Sequence, residues 1–342
     1  MADESSDSVL ILVRHGDRFD YANPEWKPAA RALGNNTSDP PLSALGHAQA
    51  LETASAIASL TAARGWAVAD VLASPYLRVI QTATPTADAL GLPIKLEDGI
   101  AETHHGLRAS MPPAAERFAY FPRVDPRYGD VPPLLPTTTT TDDGGAPAMG
   151  AREVLPAGRG SAVAAAAVAA VVAEAEAEAA AAAAAAEGEA ATAAAAASAV
   201  PPLLACEATP GHAHRVTGGP AESYPEGYMA RMVRMASVLE AAYDGRCVVC
   251  FSHAASVALV AALLRTSIAS VGKFAACGVF VLRKPAGAAS AWVLEQRAET
   301  NPHVTANAPT TFPWTFPEEQ QKLWRWAGAD TVGGGAAADG GQ

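Results

Sequence analysis

The stretch Ser8-Val-Leu-Ile-Leu-Val-Arg-His-Gly-Asp-Arg-Phe-Asp20 decides how the rest of the chain is interpreted. Its first half, Val9 to Val13, is an unbroken apolar run rich in β-branched residues, which predicts a strand buried on both faces. The run ends in Arg14-His15-Gly16-Asp17-Arg18, and ligands of open α/β sheets bind outside the carboxyl ends of the strands. A histidine between two arginines at that place predicts either a nucleophile inside an anion pocket or a solvated charged turn.

The composition narrows the class of protein. A net charge of −11 over 342 residues argues against a broad nucleic-acid surface, so any anion site must be a local pocket. Four cysteines in so long a chain give no disulfide framework. The polar N-terminus does not resemble a signal peptide, and the longest uncharged alanine-valine run, 160–173, is shorter than the roughly 20 residues of a bilayer span. We expect a soluble, cytoplasmic protein with no nucleic-acid and no membrane partner.

Beyond the first strand, helical and extended patterns alternate along the chain. A helix is predicted from the N-cap Ser43 to Gly65, with an apolar stripe that includes Leu51 and Ile57. The other predicted elements are helices over 76–90, 224–243 and 254–264, strands over 70–73, 93–96, 247–251, 277–282 and 291–295, and a polar loop over 21–39. Such alternation predicts a three-layer α/β fold, with a mainly parallel sheet flanked by helices.

The middle of the chain differs in composition from both ends. Alanine fills 26 of the 40 positions from Ser161 to Val200, and alanine favours helix but buries little area. Eight acidic residues and two arginines give the stretch 137–205 a net charge of −6. We interpret 137–205 as a low-complexity insertion, mostly unpacked, within a single domain spanning 1–328, and 329–342 as a disordered tail.

Polar residues follow three of the predicted strands, at the points where those strands end. They are Arg14-His15-Gly16 with Arg18, Ser74-Pro75-Tyr76-Leu77-Arg78, and Ser252-His253. If the strands are parallel, all three sets lie on one rim of the sheet. Guanidinium groups match phosphate oxygens bidentately, so one histidine could attack while the arginines hold an anion. The acidic stretch from Glu97 to Glu102, after the third strand, could supply a carboxylic acid.

With these residues the chain resembles the histidine phosphatase superfamily, the phosphoglycerate-mutase-like proteins. The matching motifs, in family order from Val9 to about Leu264, are Arg14-His15-Gly16, Pro41-Leu42-Ser43 with Gly46 and Gln49, Ser74-Pro75-x-x-Arg78 with Gln81-Thr82-Ala83, Glu102, and Ser252-His253 before a helix. The resemblance implies a phosphoglycerate-mutase-like fold and a phosphomonoester substrate, either a small molecule or a protein.

The resemblance also implies a role for each matched residue. His15 would be the nucleophile that becomes phosphohistidine, and Glu102 the acid that protonates the leaving oxygen. Arg14, Arg78 and His253 would bind the transferring phosphoryl group, which places His253 among both the catalytic and the phosphate-binding residues. Phosphoryl transfer depends mainly on positioning and charge neutralisation, which arginines supply, so we expect neither a cofactor nor a metal.

The branch of the superfamily is indicated by the residues after the nucleophile. Mutase-like and bisphosphatase-like members read Arg-His-Gly-x-Ser-x-x-Asn, whereas here Arg18 and Tyr21 stand at the serine and asparagine positions. The stretch is more similar to the suppressor-of-T-cell-receptor-signalling and ecdysteroid-phosphate phosphatase group, which carries a further phosphate-binding arginine at the Arg18 position. The acid-phosphatase branch would have an aspartate where this chain has Ala254.

Two alternatives to a phosphatase stay open. The segment Glu102-Thr103-His104-His105-Gly106 is similar to the Glu-x-His-Tyr-Gly of true mutases, so a mutase-type phosphotransferase is one of them. A non-catalytic phosphate-ligand binding or scaffold module is the other, since the insertion follows Glu102. Neither the substrate nor the oligomeric state follows from the sequence.

Other candidate sites have simpler interpretations. Cys247 and Cys250 stand three apart in a strand, so their side chains should face opposite sides of the sheet and share no ligand. His104-His105 and His212-x-His214 lack partners at zinc-site spacing and are interpreted as loop histidines. We interpret the C-terminal aromatic residues as core packing; they are Phe312, Trp314, Phe316, Trp324 and Trp326.

Overall fold

Strand β1, Ser8–Arg14, lies inside the sheet and is buried along its whole length, as its unbroken apolar run predicts. The computed structural model describes residues 6–32, 37–102, 117–128, 222–287 and 291–324. The predicted insertion at 137–205, the predicted tail at 329–342 and the histidines at 104, 105, 212 and 214 lie outside the described residues. In the part of the chain that is described, no helix is both long and apolar enough to span a bilayer.

The described elements follow the predicted alternation. Helices α1 to α8 span Phe19–Ala22, Trp26–Ala32, Ala44–Arg64, Leu77–Leu90, Glu226–Ala242, Val257–Leu263, Ile268–Val271 and Glu318–Gln321. Strands β1 to β6 span Ser8–Arg14, Val68–Ala73, Ile94–Leu96, Cys247–Ser252, Val279–Lys284 and Val293–Gln296. Short 3₁₀ turns lie at Asp98–Ile100, after β3, and at Ala254–Ser256, between β4 and α6.

The six strands form one mixed sheet in the order β3-β2-β4-β1-β5-β6. The pairs β3/β2, β2/β4 and β4/β1 are parallel, and β1/β5 and β5/β6 are antiparallel. The predicted α/β class with a mainly parallel sheet flanked by helices is confirmed. Because β2, β4 and β1 are parallel neighbours, their carboxyl ends lie side by side on one rim.

A hydrophobic core covers each face of the sheet. One core packs α5 and α6 against Leu10, Leu12 and Cys250, and the other packs α3 and α4 against Val9, Ile11 and Cys247. The two strand cysteines therefore face opposite cores, as their spacing predicts. Alternation of buried side chains between the faces is what holds β1 and β4 in register.

Local sequence signals predict the two ends of α3 correctly, but the prediction of a polar loop before it is wrong. The Ser43 hydroxyl accepts a hydrogen bond from the Gly46 amide at 3.0 Å, and Gly65 ends α3 in the left-handed conformation at φ 64°. The assignment of Leu51 to the apolar stripe of α3 is wrong: Leu51 is 64% exposed, because the buried side of the helix carries mainly small and polar residues, among them Ala50, Thr53 and Ala54. The predicted polar loop over 21–39 contains the short helices α1 and α2.

The C-terminal aromatic residues divide into two groups. Phe316 and Trp324 are buried in the core beside α5 and α6, and Trp314 packs against them, as predicted. Phe312 was wrongly assigned to the core, since it is 71% exposed. Trp326 lies outside the described residues.

Candidate active site

The carboxyl ends of β1, β2 and β4 bring three polar side chains together. His15 follows β1, Ser74 follows β2 and His253 follows β4. The imidazole rings of His15 and His253 have centroids 5.4 Å apart and planes inclined at 66°. Nε2 of His253 lies 2.7 Å from the Ser74 hydroxyl oxygen. All three residues are buried, so the cluster lies below the surface at the carboxyl ends of the strands and not on an exposed turn.

The ring of His15 is held in one tautomer by its own loop. Nδ1 lies 2.8 Å from the Gly16 carbonyl oxygen, and because a carbonyl only accepts, Nδ1 carries the hydrogen. Nε2 therefore keeps a lone pair. Burial, followed by the charges of Arg78 and Arg14, holds the pKa of His15 well below its usual value of 6.5. The imidazole is thus neutral at physiological pH, which is the nucleophilic form.

His253 has the opposite tautomer. Its Nδ1 lies 3.2 Å from Nη2 of Arg78, which can only donate, so Nε2 carries the hydrogen and donates to Ser74. Burial, and then the charge of Arg78, holds the pKa of His253 well below 6.5. Tyr76 packs its ring edge-to-face against the imidazole at a centroid distance of 4.9 Å. The second histidine is therefore also neutral and fixed in orientation.

Arg14 and Arg78 bring buried positive charge to the two histidines. Nη1 of Arg14 donates to the carbonyl oxygens of Phe274, at 2.6 Å, and Phe312, at 3.0 Å. Burial lowers the pKa of Arg14 to about 10, which still leaves the guanidinium charged at neutral pH. Among the described residues, Nε of Arg14 and both Nε and Nη1 of Arg78 find no hydrogen-bond acceptor. Buried donors of this kind are ready to bind the oxygens of an anion.

Arg18, which the resemblance places among the phosphate-binding residues, forms an ion pair with Asp20 in this structure. Its guanidinium donates two hydrogen bonds to the Asp20 carboxylate, at 2.9 and 2.7 Å. The same group lies 4.3 Å from the centre of the Tyr21 ring and donates to the Tyr21 hydroxyl at 3.0 Å. Burial raises the pKa of Asp20, but hydrogen bonds from Arg18 and Lys27 outweigh that effect and lower it overall. Arg18 remains close enough to His15 and His253 for its charge to lower their pKa values.

The loop after His15 packs backbone to backbone against the start of α3. A Cβ atom on Gly16 would lie 2.8 Å from the Gly46 carbonyl oxygen, and one on Gly46 would lie 2.2 Å from that of Asp17. Both positions therefore require glycine. The loop is tied further by the Asp17 amide donating to Gln49 at 2.9 Å and the Gly16 amide donating to Thr82 at 3.1 Å. The motif around Ser43 and the one after Arg78 thus support the loop that carries His15.

Glu102 reaches the same cluster from β3. Its Oε2 lies 3.6 Å from Nδ1 of His253, and the side chain is 30% exposed, at the open side of the pocket. The backbone before it runs through the 3₁₀ turn Asp98–Ile100, directly after β3. The structure therefore brings together all six residues singled out from the sequence: Arg14, His15, Arg18, Arg78, Glu102 and His253.

Sequence reasoning missed two sets of residues that shape the site. Asp39 joins Arg78, at 3.7 Å, to the buried Arg117, at 3.3 Å. Arg231 of α5, fully buried, donates to main-chain carbonyls just before Glu102. The signal for Arg231 was present, because it stands three residues after Tyr228 and four before Met235, on the apolar stripe of the helix. Asp39 lies in a bend, and Arg117 begins a short helical turn after residues that the structure does not describe, so neither had a periodic pattern that would mark it.

Metal ligation has no candidate cluster in this part of the chain. Within residues 6–32, 37–102, 117–128, 222–287 and 291–324, no group of three or more histidine, cysteine, aspartate or glutamate side chains could hold an ion. The three described cysteines, Cys247, Cys250 and Cys277, are buried free thiols. Burial raises the pKa of the Cys247 and Cys277 thiols to about 12.

Fold and site together define a class of protein: an α/β protein with a neutral histidine and buried arginines at the carboxyl edge of its parallel strands. Residues 10–132 match the family described as the histidine phosphatase superfamily (branch 1). The resemblance to that superfamily predicted from the sequence is thereby confirmed. A comparison with curated proteins finds no match.

Solved structures with similarity to the chain include three phosphatases. A mycobacterial glucosyl-3-phosphoglycerate phosphatase is 16% identical over 85% of this chain and 98% of its own, with a TM-score of 0.39. The ecdysone phosphate phosphatase of Bombyx mori is 15% identical over 88% of this chain and 95% of its own, with a TM-score of 0.43. A phosphoserine phosphatase from Entamoeba histolytica is 15% identical over 86% and 98%, with a TM-score of 0.39. Similarity at this level is too low to carry an argument about activity.

Proposed function

We propose that the protein is a phosphatase that hydrolyses a phosphomonoester through a phosphohistidine intermediate on His15. One observation carries the proposal: a neutral, buried His15 keeps the lone pair on Nε2 beside two buried arginines, in which Nε of Arg14 and both Nε and Nη1 of Arg78 have no acceptor among the described residues. The family match over 10–132 supports a phosphatase-type activity. Neutral nucleophile and fixed positive charge are what in-line phosphoryl transfer requires.

The first chemical step transfers the phosphoryl group to the enzyme. Nε2 of His15 forms a bond to phosphorus while the bond from phosphorus to the leaving oxygen breaks. Arg14 and Arg78 neutralise the oxygens of the transferring group, while the neutral imidazole of His253, oriented by Ser74 and Arg78, lies beside them in the phosphate site. Glu102 gives its proton to the leaving oxygen, which departs as an alcohol. Arg18, in contact with Asp20, adds positive charge at longer range.

The second step returns the enzyme to its starting state. A water molecule attacks phosphorus opposite Nε2 of His15 and gives a proton to the carboxylate of Glu102. The bond between phosphorus and nitrogen breaks, inorganic phosphate leaves, and the imidazole is neutral again. The hydrogen bond from Nδ1 to the Gly16 carbonyl keeps the ring oriented through both steps.

The test is turnover of p-nitrophenyl phosphate in the presence of EDTA. We expect full activity with the chelator, a fall of about 10³-fold or more for His15→Ala, and no change for His47→Ala, a control histidine on α3 outside the cluster. Rapid quenching with labelled substrate should trap an acid-labile, base-stable phosphoenzyme that His15→Ala does not form. Activity that needs a divalent metal, or a phosphoenzyme that persists in His15→Ala, would contradict the proposal.

Substrate choice and the two alternatives can be separated with one panel. It contains a phosphotyrosine peptide, sugar phosphates, a steroid phosphate and 3-phosphoglycerate. Release of inorganic phosphate from any of them favours the phosphatase. Interconversion of phosphoglycerate isomers without net release indicates a mutase-type phosphotransferase, and tight phosphate binding without turnover of any compound indicates a binding or scaffold module.

A further inference from the structure

The loop that leads to Glu102 is held by its main-chain carbonyls, and the principal donor is Arg231 of α5. Nη1 of Arg231 donates to the carbonyl oxygens of Gly99, at 2.8 Å, and Ala101, at 3.0 Å, with a longer contact to Asp98 at 3.3 Å. Nη2 lies 3.4 Å from the carbonyl oxygen of Glu102 itself. One guanidinium thus fixes the backbone on both sides of the turn that delivers the carboxyl.

The charge of Arg231 is balanced on its other edge. Nε and Nη2 donate to the two carboxylate oxygens of Glu222, at 2.7 and 3.0 Å, in a bidentate pair. The side chains of Arg231 and Glu222 are 0% and 3% exposed. A buried arginine needs such a partner, and breaking a buried pair by removing one member is strongly destabilising because the other charge remains. The pair also holds the guanidinium plane in the orientation that its carbonyl contacts require.

The one carbonyl of this turn that Arg231 does not bind is held from the sheet. The Ser252 hydroxyl, at the end of β4, donates to the Ile100 carbonyl oxygen at 2.6 Å. Ser252 directly precedes His253, whose Nδ1 lies 3.6 Å from the Glu102 carboxylate. The positions of the carboxyl and of the second histidine are therefore fixed relative to one another through main-chain bonds, while the Glu102 side chain is 30% exposed.

We propose that Arg231, oriented by Glu222, is a positioning residue for the general acid: it sets the distance of the Glu102 carboxyl from the leaving oxygen. This inference rests on the proposed function, in which Glu102 protonates that oxygen. Arg231 acts on the acid through the backbone of 98–102 and touches no reacting atom; its charge also helps to lower the pKa of His253, an effect that does not depend on the leaving group. Its loss should impair the step that needs the proton and spare the rest of the pocket, because misplacing a reacting group by about 1 Å can cost about 100-fold in rate.

The experiment compares substrates that differ in their need for an acid. An alkyl phosphate has a poor leaving group and depends on protonation, whereas 2,4-dinitrophenyl phosphate does not. We use kcat/KM, since it reports the steps through phosphoryl transfer to His15 and is not affected by hydrolysis of the phosphoenzyme. For Arg231→Lys and Arg231→Met we expect kcat/KM on the alkyl phosphate to fall about 10- to 100-fold. On the dinitrophenyl ester it should fall by about threefold at most.

Two further variants make the result decisive. Arg234→Met removes an exposed arginine from the same helix and should leave both substrates unaffected. Glu222→Gln keeps the shape of the partner but weakens the pair, so it should give a smaller loss with the same selectivity. If Arg231→Met does not fold, Arg231→Lys and Glu222→Gln decide the question, because each keeps part of the hydrogen-bonding set.

The outcomes separate this inference from the function on which it rests. Equal losses on both substrates in the Arg231 and Glu222 variants would show a role in folding alone and overturn the inference. Glu102→Gln should show the same selectivity as the Arg231 variants, and a larger effect. If Glu102→Gln itself affects both esters equally, Glu102 is not the acid and it is the proposed function that fails.

Discussion

Replacing Gly46 by alanine should disable the nucleophile loop with only a moderate cost in stability. The added Cβ would lie 2.2 Å from the Asp17 carbonyl oxygen and 3.0 Å from the Asp17 amide nitrogen. Both neighbours are backbone atoms, so no side chain can swing away, and reaching ordinary contact requires a movement of about 1 Å. Overpacking of this kind costs about 1–3 kcal/mol. The loop that must move is the one that carries His15.

The catalytic effect should exceed the effect on stability. Displacing the attacking atom by about 1 Å can cost about 100-fold in rate, so kcat on p-nitrophenyl phosphate should fall by about that factor. Gly65→Ala is the matched control: Gly65 has φ 64° and no atom within 4 Å of an added Cβ, so the change introduces backbone strain of about 1–2 kcal/mol without a clash. Both variants should melt a few degrees below the wild type, and only Gly46→Ala should lose activity. A Gly46→Ala enzyme with kcat within about threefold of wild type, or a comparable loss in Gly65→Ala, would refute the reasoning.

Three other outcomes follow from the charges and the burial. Because His15 and His253 have folded pKa values well below 6.5, only the unfolded chain takes up their protons as the pH falls. The free energy of unfolding should be highest above about pH 6.5 and fall below it by up to about 1.4 kcal/mol per pH unit for each histidine. Denaturant titrations at successive pH values measure this slope, and His15→Asn should reduce it. In a Cys206→Ser background, the remaining buried thiols should resist alkylation at pH 8 until denaturant is added; labelling of the native protein would contradict their burial. Deletion of 137–205, bridged by a short Gly-Ser linker, should keep kcat within a few-fold of wild type. KM for an anionic substrate should be equal or slightly lower, because the deletion removes a net charge of −6. A loss of about 100-fold in kcat/KM at unchanged Tm would contradict the low-complexity interpretation.

The residues at the carboxyl ends of β1, β2 and β4 could be predicted to lie together, because the direction of the strands alone determines this. The apolar runs before Arg14, Ser74 and Ser252 identify three strands, and parallel pairing brings their carboxyl ends together whatever their order in the sheet. The limits of α3 were equally local, because the Ser43 cap and the left-handed Gly65 depend on neighbouring residues only. These features need no knowledge of the tertiary packing.

The parts of the site that were missed depend on main-chain atoms brought from distant segments. Arg14 donates to the carbonyls of Phe274 and Phe312, and Arg231 donates to those of Gly99 and Ala101. Every residue has a carbonyl, so the sequence has no pattern that marks which ones will be used. Phe312 is a further example: its carbonyl accepts a hydrogen bond from Arg14, whereas its side chain lies outside the core.

Main-chain contacts also explain how two buried arginines keep their positive charge in the site while some of their N–H donors have no acceptor among the described residues. Arg14 and Arg78 are buried at a cost in solvation, and the charge of Asp39, 3.7 Å from Arg78, offsets part of it. The carbonyls bound by Nη1 of Arg14 take up hydrogen bonds without adding negative charge. Nε of Arg14 and both Nε and Nη1 of Arg78 have no acceptor among the described residues, so these donors can bind the oxygens of an anion such as a phosphoryl group. Burial, together with the positive charges of Arg78 and Arg14, holds the pKa of His15 well below its usual value, so that the imidazole stays neutral.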